Sequence, residues 1–455
     1  MMTKKRMLLG LAALLALSAM SFANGLNLNS LGTRALAMGG AFVGLADDFS
    51  AIFWNPAGLA NFKNKTVGVY GTDIIPSGSY ALTVPGSIGQ YLGLGTADAK
   101  VIDTKTVSKA YLGGMAVYIH PISENLVAAI GAYTPSGLGA NWDGSKLAFI
   151  SGNRTDIEWS SKVGLLTIAP SLAYKINDQL SVGASLNINY GMFDLAMYAG
   201  KADINAQVLQ FDMGQYKESE TGWGLGATIG VQFKPSQMFS LGATFRTAST
   251  IKFSGSASIS NLPLLGFNRA SDMKRELTWP MWLAGGAAFK PMDDLTITAD
   301  LQWTQWSKIK TIDTTYSDAI WTVLMAASHK NEMAMYWQDA LQIRFGAEYK
   351  LTKDLAVRGG YYIDPSPAPD RTMNILLPNY DFNALTFGLG YSTGGLQIDV
   401  GLEYLMGKDR TIDFAKTFNH PPIPNTAFDV NYASAVPGVY GMSIIVPNIS
   451  ISYKF

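Results

Sequence analysis

Residues 295–303 read Leu-Thr-Ile-Thr-Ala-Asp-Leu-Gln-Trp, with every odd position apolar and every even position polar. A period of two places the two sets on opposite faces of an extended strand. Leu180-Ser-Val-Gly-Ala-Ser-Leu-Asn-Ile-Asn-Tyr190 and Leu396-Gln-Ile-Asp-Val-Gly-Leu-Glu-Tyr404 repeat the pattern. Each run has about the 9–11 residues that a tilted strand needs to cross a bilayer.

A looser repeat joins such runs: an aromatic, a Lys, a short polar turn and a new alternation. It reads Tyr174-Lys175-Ile-Asn-Asp-Gln-Leu180, Phe233-Lys234-Pro-Ser-Gln-Met-Phe239, Phe289-Lys290-Pro-Met-Asp-Asp-Leu295 and Tyr349-Lys350-Leu-Thr-Lys-Asp-Leu355. Pro, Asn and Asp favour tight turns, and the aromatics suit a membrane interface. The sequence stops at Tyr453-Lys454-Phe455, the same place in the repeat. The last strand is therefore expected to end at the rim with the short turns.

This reading gives about fourteen strands, an even number as a closed bacterial barrel requires. The first seven are expected over 65–72, 112–120, 126–133, 164–175, 180–191, 222–233 and 239–252. The second seven are expected over 279–289, 295–309, 340–350, 354–362, 384–392, 396–405 and 443–455. Connections are short after even-numbered strands and long after odd ones, the pattern of periplasmic turns and extracellular loops. The long ones are 73–111, 192–221, 311–339 and 406–442.

Composition agrees. Of 455 residues 48% are hydrophobic and only 15% are charged, against about 25% in typical soluble domains. No long apolar helix accounts for the deficit, but lipid-facing strands do. The formal net charge of +0 gives no reason to expect nucleic acid. Lys4, Lys5 and Arg6 precede an apolar run from Met7 to Met20, then Ser21-Phe22-Ala23. That is the form of a secretory signal, expected to span 1–23 with cleavage after Ala23. As an anchor the run is shorter than the roughly 20 residues of a spanning helix. An exported chain without cysteine draws its stability from elsewhere, as a closed sheet does. A soluble sandwich or propeller shares the alternation but not these features together.

If Phe455 faces lipid, so do Tyr453, Ile451 and Ile449. The same rule places Arg246, Asp300, Gln302, Arg344, Glu348, Arg358, Asp399 and Glu403 inside. Inward placement avoids roughly 2–4 kcal/mol for an Arg or Lys at the lipid midplane. Most of these charges read as a structural ion-pair network. One or two of Arg246, Arg344 and Arg358 are candidates to meet an anionic ligand. Residues 24–62 are not strand-like: moderately apolar and Gly-rich, they suit the barrel lumen better than a mobile tail.

The small-residue stretch that follows Arg34, with Ala46-Asp47-Asp48 and Asn55-Pro56-Ala57, resembles the hatch signature of the FadL family of outer-membrane transporters, which includes the TodX-type channels. Pro170-Ser-Leu-Ala-Tyr174, Gly285-Gly-Ala-Ala-Phe-Lys290, Asp300-Leu-Gln-Trp303-Thr-Gln-Trp306, Trp337-Gln-Asp339 and Gly346-Ala-Glu-Tyr349 resemble family segments. So does Arg358-Gly-Gly-Tyr-Tyr-Ile-Asp364 leading to Ser366-Pro367-Ala-Pro369 and Leu377-Pro378.

The resemblance implies a fourteen-stranded antiparallel β-barrel over 63–455, closed by an N-terminal hatch over 24–62 that includes Arg34, Asp47, Asp48, Asn55, Pro56 and Ala57. It implies passive uptake of a hydrophobic molecule, with a long-chain fatty acid as the default cargo and an aromatic hydrocarbon as the alternative. The ligand would be captured among loops, held at an apolar site and released sideways into the membrane. Leu26, Leu28, Trp321, Leu324 and Met325 are candidate ligand contacts beside the three arginines. Pro135, Gly137 and Gly139 are candidates for the strand kink that opens the wall, or for an ordinary loop start. Outer-membrane lipid, lipopolysaccharide and the barrel-assembly machinery, the last through the strand ending at Phe455, are the other expected partners. An adhesin and an open porin are the competing classes. His120, His329 and His420 are too scattered for a metal or catalytic site, and no cofactor is expected.

Overall fold

The structure is a computed structural model that describes residues 25–107, 109–203, 210–328, 330–414, 417 and 435–455. The expected signal peptide, His329, His420 and much of 406–442 lie outside the described residues. Fourteen antiparallel strands close a barrel. In chain order they are β1 (Thr66–Val84), β2 (Tyr111–Pro121), β3 (Leu126–Trp142), β4 (Trp159–Lys175), β5 (Leu180–Tyr198) and β6 (Gln215–Phe233). Strand β7 runs Phe239–Arg246 and resumes as Ser249–Ile259; β8 runs Ala270–Trp279 and resumes as Trp282–Met292. Then come β9 (Leu295–Thr304), β10 (Ala340–Lys350), β11 (Leu355–Asp364), β12 (Phe382–Thr393), β13 (Leu396–Gly407) and β14 (Gly438–Lys454).

Closure is made by β1, which pairs with β14 from Thr66↔Lys454 to Ala81↔Val439. Its other edge pairs with β2 from Thr66↔Ile119 to Ile74↔Tyr111. A closed ladder leaves no edge and satisfies the backbone within lipid. No helix among the described residues is long and apolar enough to cross a membrane.

Several strands run well past their expected ends. The first continues to Val84 rather than 72, the third to Trp142 rather than 133, and the fifth to Tyr198 rather than 191. The expected 239–252 strand is interrupted after Arg246, and β9 stops at Thr304, short of the expected 309. Most of the extensions share one cause: the wall rises beyond the lipid, and there its polarity inverts. In lower β5, Leu186 is exposed while Asn187 and Asn189 are buried. Higher up, Phe193 and Leu195 are buried on the inward face. On upper β7 Thr250, Lys252 and Ser254 point outward while Ile251 and Phe253 point in. In β5 the same residue parity faces inward throughout, whereas in β7 it shifts by one across the break after Arg246; in both, water replaces lipid outside and an apolar core replaces polar side chains inside.

Two cores follow. The upper one gathers Trp142, Phe193, Phe253, Trp306, Trp321 and Phe382. The lower one packs Leu31, Phe42, Ile52, Trp54 and Leu59 of the N-terminal segment against Tyr70, Val117 and Tyr133 of the wall. Gly39 and Gly40 let that segment turn at φ +66° and +65° where it meets the inner wall, and a side chain on Gly40 would run into the Arg344 guanidinium.

Candidate ligand site and wall opening

The wall is not uniform around the barrel. Strands β5 and β6 pair without interruption through 19 residues, from Leu180↔Phe233 to Tyr198↔Gln215. Strands β2 and β3 pair only from Pro121↔Val127 to Met115↔Tyr133. Above that point β3 keeps β4 as its partner but inserts one extra residue between Tyr133 and Ser136. A bulge bends its strand, and Pro135 has no N–H to donate to a ladder. The third strand therefore does not end at Pro135; it bulges there and runs on, no longer paired with β2, and near its top it bridges Thr106 through Trp142.

Residues 26–28 lie along that edge. Asn27 and Ser136 form an isolated β-bridge. The Leu28 N–H donates to the Pro135 carbonyl at 2.9 Å, and the Ser136 hydroxyl donates to the Leu26 carbonyl. The Leu28 side chain stands in the gap, flanked by two glycines of the wall. A Cβ on Gly113 would lie 3.6 Å from Leu28 Cδ1, and one on Gly137 would lie 3.9 Å from Leu28 Cδ2.

On the lumen side of this gap is a mainly apolar cavity of about 110 Å³, lined by Leu28, Ile74, Leu376, Leu405, Ile444 and Val446 among others. On the other side is a hollow of about 480 Å³ reaching Lys109, Lys162 and Asp194. Leu28, Ile74, Tyr111 and Gly137 line both. The two spaces meet at the gap.

Below the cavity, the N-terminal segment is tied to the wall by polar contacts. Arg34 donates to both Glu348 oxygens, at 2.7 and 2.8 Å, and pairs with Asp47. Glu348 also accepts from Arg358 at 2.6 Å, and Arg358 reaches Asp399 at 2.7 Å. Asp48 accepts from the Ser50 amide at 2.8 Å and hydroxyl at 2.6 Å. Burial pushes the Asp48 carboxyl up to about 6, against the pull of Arg34. Asn55 donates to Val43 and Val231 carbonyls, each at 3.0 Å, and accepts from the Ala57 amide at 3.1 Å. Pro56 begins the short 3-10 turn Pro56–Asn61 that follows.

The three candidate arginines are not brought to the cavity. Arg246 donates to the Phe53 carbonyl at 2.9 Å and lies over the Phe53 and Trp282 rings. Arg344 donates to the Gly39 carbonyl at 3.1 Å and to Gln342 at 2.9 Å. Arg358 belongs to the ion-pair network. Trp321, Leu324 and Met325 fall on the helix Ala319–Ala327 and lie outside the cavity lining. Trp321 is buried there and donates to the Asn268 carbonyl at 3.0 Å. Gly139 lines the cavity beside Gly137, and Leu26 is buried next to the bulge. The sequence reading missed Leu405, Ile444 and Val446. Their signal was apolar residues at inward positions of β13 and β14, the inverted phase of the upper wall.

Among the described residues no group of three or more His, Cys, Asp or Glu side chains is placed to hold a metal ion. His120 bonds only Tyr118, at 3.0 Å.

The profile of the family described as outer membrane protein transport protein (OMPP1/FadL/TodX) matches residues 13–444. The chain belongs to that family. Its members of known role are transporters or channels of the outer membrane, and this chain is an outer-membrane β-barrel of the same kind. It is 23% identical over 445 residues to outer membrane protein P1 of Haemophilus influenzae, covering 90% of this chain and 92% of that one. It is 21% identical over 439 residues to the long-chain fatty acid transport protein of Escherichia coli K12, covering 88% and 92%. A Pseudomonas aeruginosa FadL homologue superposes with TM-score 0.74 at 17% identity, covering 95% of this chain and all (100%) of that one. The Pseudomonas putida toluene transporter TodX superposes with TM-score 0.68 at 16% identity, again over 95% and 100%.

Proposed function

We propose that this family member takes up hydrophobic small molecules passively, holding them in the lumen cavity and releasing them through the break between β2 and β3. Leu28 is the stopper. The observation that supports this is the sharing of Leu28, Ile74, Tyr111 and Gly137 by the inner cavity and the outer hollow. An apolar cargo gains by moving from cavity to lipid without crossing water, so the step needs no energy source. It does need the N-terminal segment to favour different positions with and without cargo. In this reading residues 24–62 act as the hatch. Arg34, Asp47, Asp48, Asn55, Pro56 and Ala57 anchor it, and movement is confined to its first residues.

For cargo, both relatives' chemistries stay in play: a long-chain fatty acid or an aromatic hydrocarbon. No arginine or lysine lines the cavity, and that favours an uncharged molecule over a carboxylate. Lipopolysaccharide around the raised wall, and barrel-assembly machinery reading the strand that ends at Phe455, complete the proposal.

The test is Gly137→Val, which adds bulk against Leu28 where the cavity and the outer hollow meet. Uptake of radiolabelled oleate and toluene by cells carrying the variant is compared with the parent, with barrel assembly checked by heat-modifiable gel migration. Loss of uptake of at least one probe supports the exit. Unchanged uptake of every probe the parent carries rules out this route.

A further inference from the structure

The cavity is apolar along most of its length but has one polar corner. Ser30, Tyr70, Asp364 and Glu403 all line it, together with Asn29. Glu403 is only 4% exposed and Tyr70 only 2%, so neither is hydrated by bulk water. Glu403 Oε1 accepts from the Tyr362 hydroxyl at 2.5 Å. Among the described residues neither the buried Tyr70 hydroxyl nor the buried Ser30 hydroxyl has a partner in hydrogen-bond geometry, although Thr72 lies beside Tyr70. Asp364 accepts from Asn29 at 2.7 Å and from Gln342 at 2.6 Å.

Buried hydroxyls without partners are costly and uncommon, and each calls for an explanation. Here they share the wall of the cavity with a carboxylate. Arg344 lies over the Tyr362 ring at 4.6 Å and is bonded to Gly39 and Gln342. An incoming carboxylate would meet two acidic side chains, and the guanidinium of Arg344 beside Ser30 is already taken up by those two bonds. A pure hydrocarbon would leave the Tyr70 and Ser30 hydroxyls unpaired. A hydroxyl group suits all of them, because it donates through its hydrogen and accepts through its oxygen.

We propose that the corner formed by Ser30, Tyr70 and Glu403 is a head-group site for a neutral hydroxyl-bearing hydrophobe, such as an alkanol or an alkylphenol. The hydroxyl donates to Glu403 and accepts from Tyr70 or Ser30. The alkyl part runs along Leu405, Ile444 and Val446. This rests on the reading of the cavity as the cargo site, and it selects within hydrophobic cargo: alcohols are preferred to carboxylates of the same chain length.

The experiment uses the purified full-length barrel in detergent, titrated calorimetrically with 1-decanol and with decanoate at about pH 8, where a free alkyl carboxylate is ionised. Three variants are titrated beside the parent: Glu403→Gln, Tyr70→Phe and Leu405→Trp, the last to fill the apolar part. Comparing the decanol-to-decanoate affinity ratio between variants cancels the unequal partitioning of the two probes into detergent. Decanol is expected to bind the parent more tightly. Glu403→Gln is expected to shrink the affinity ratio about tenfold, as a hydrogen bond to a charged group is lost and a repulsion relieved. Tyr70→Phe should weaken decanol severalfold and leave decanoate unchanged, which also covers the case in which Glu403→Gln fails to assemble. Equal or tighter decanoate binding overturns the proposal, as does a ratio unmoved by both polar variants. Leu405→Trp separates the two levels: if it abolishes binding of both probes while the ratio stays flat, the cavity reading stands and only the head-group site falls. If Leu405→Trp changes neither probe, the cavity is not the cargo site and both readings fall.

Discussion

The seams between β5 and β6 and between β2 and β3 are built from similar residues, yet one is a continuous ladder and the other stops partway. The first has 19 successive pairs. The second ends at Met115↔Tyr133, just before Thr134-Pro135. Opening the first would strip paired backbone groups within lipid, each costing several kcal/mol. The second is already open as a sheet. Its gap is occupied instead by residues 26–28, held by a β-bridge, the Ser136–Leu26 bond and the Leu28–Pro135 bond. The two seams thus differ in what satisfies the strand edge: in the first a neighbouring strand along its whole length, in the second residues 26–28 through a few bonds, and in the proposed function the second is the gate.

The largest expected effect comes from removing that segment's whole body. A variant lacking residues 24–61 should keep the β5–β6 ladder but lose the lumen's filling. Planar-bilayer conductance should then rise on the order of tenfold, because an unplugged barrel is a water-filled channel. Conductance at the parent's level from an assembled variant would show that the segment does not close the lumen. Next comes a matched pair of small-to-larger changes on the two seams. Gly137→Val should depress uptake at least severalfold, whereas Ala227→Val, outward on the continuous β6, should leave it within about twofold, as lipid-facing apolar swaps do. Equal loss in both would place the effect in assembly rather than in the gap.

Much of this was legible in the sequence, and the limits were physical. The lower wall obeyed the pattern of a membrane strand: Tyr453, Ile451 and Ile449 lie exposed, and Asp300, Arg344, Glu348 and Glu403 lie buried, each on the face that alternation assigns. The upper wall did not, because its outer solvent is water. Residues 73–84 and 192–198 look like loop when apolar-outward is the rule, though their parity never changes. Pro135 and Gly137 stood out as a bend, but the Thr134-Pro135 break looks the same whether a strand ends or bulges. Only the pairing of β3 with β4 tells them apart. Arg246, Arg344 and Arg358 were correctly placed inside, yet sequence cannot show that backbone carbonyls and carboxylates already occupy them. The cavity's polar corner was illegible for a related reason. Ser30, Tyr70 and Glu403 come from the N-terminal segment, β1 and β13, and only the closed barrel brings them together.

The gap itself can be sharpened by separating side chain from backbone. Leu28→Ala removes the stopper's apolar bulk but keeps the Leu28 N–H bond to Pro135. A partly buried leucine side chain contributes about 1.5 kcal/mol, so the open fraction should rise roughly tenfold. Faster uptake, and faster deuterium exchange of the amides of residues 26–30, are the readouts. Slower uptake would mean that Leu28 guides cargo rather than blocks it.

Ser136→Ala should act less. It deletes the hydroxyl bond to the Leu26 carbonyl, while the Asn27–Ser136 bridge and the Leu28–Pro135 bond remain. One net hydrogen bond contributes about 1 kcal/mol, or about fivefold in exchange rate at Leu28. Uptake should change by less than in Leu28→Ala, since the side chain still fills the space between Gly113 and Gly137. The order of the two variants carries the information. If Ser136→Ala releases the gate more than Leu28→Ala does, the segment is held as a substitute strand, by its backbone. The gap would then differ from the β5–β6 ladder in length alone, and no longer in the kind of contact that closes it.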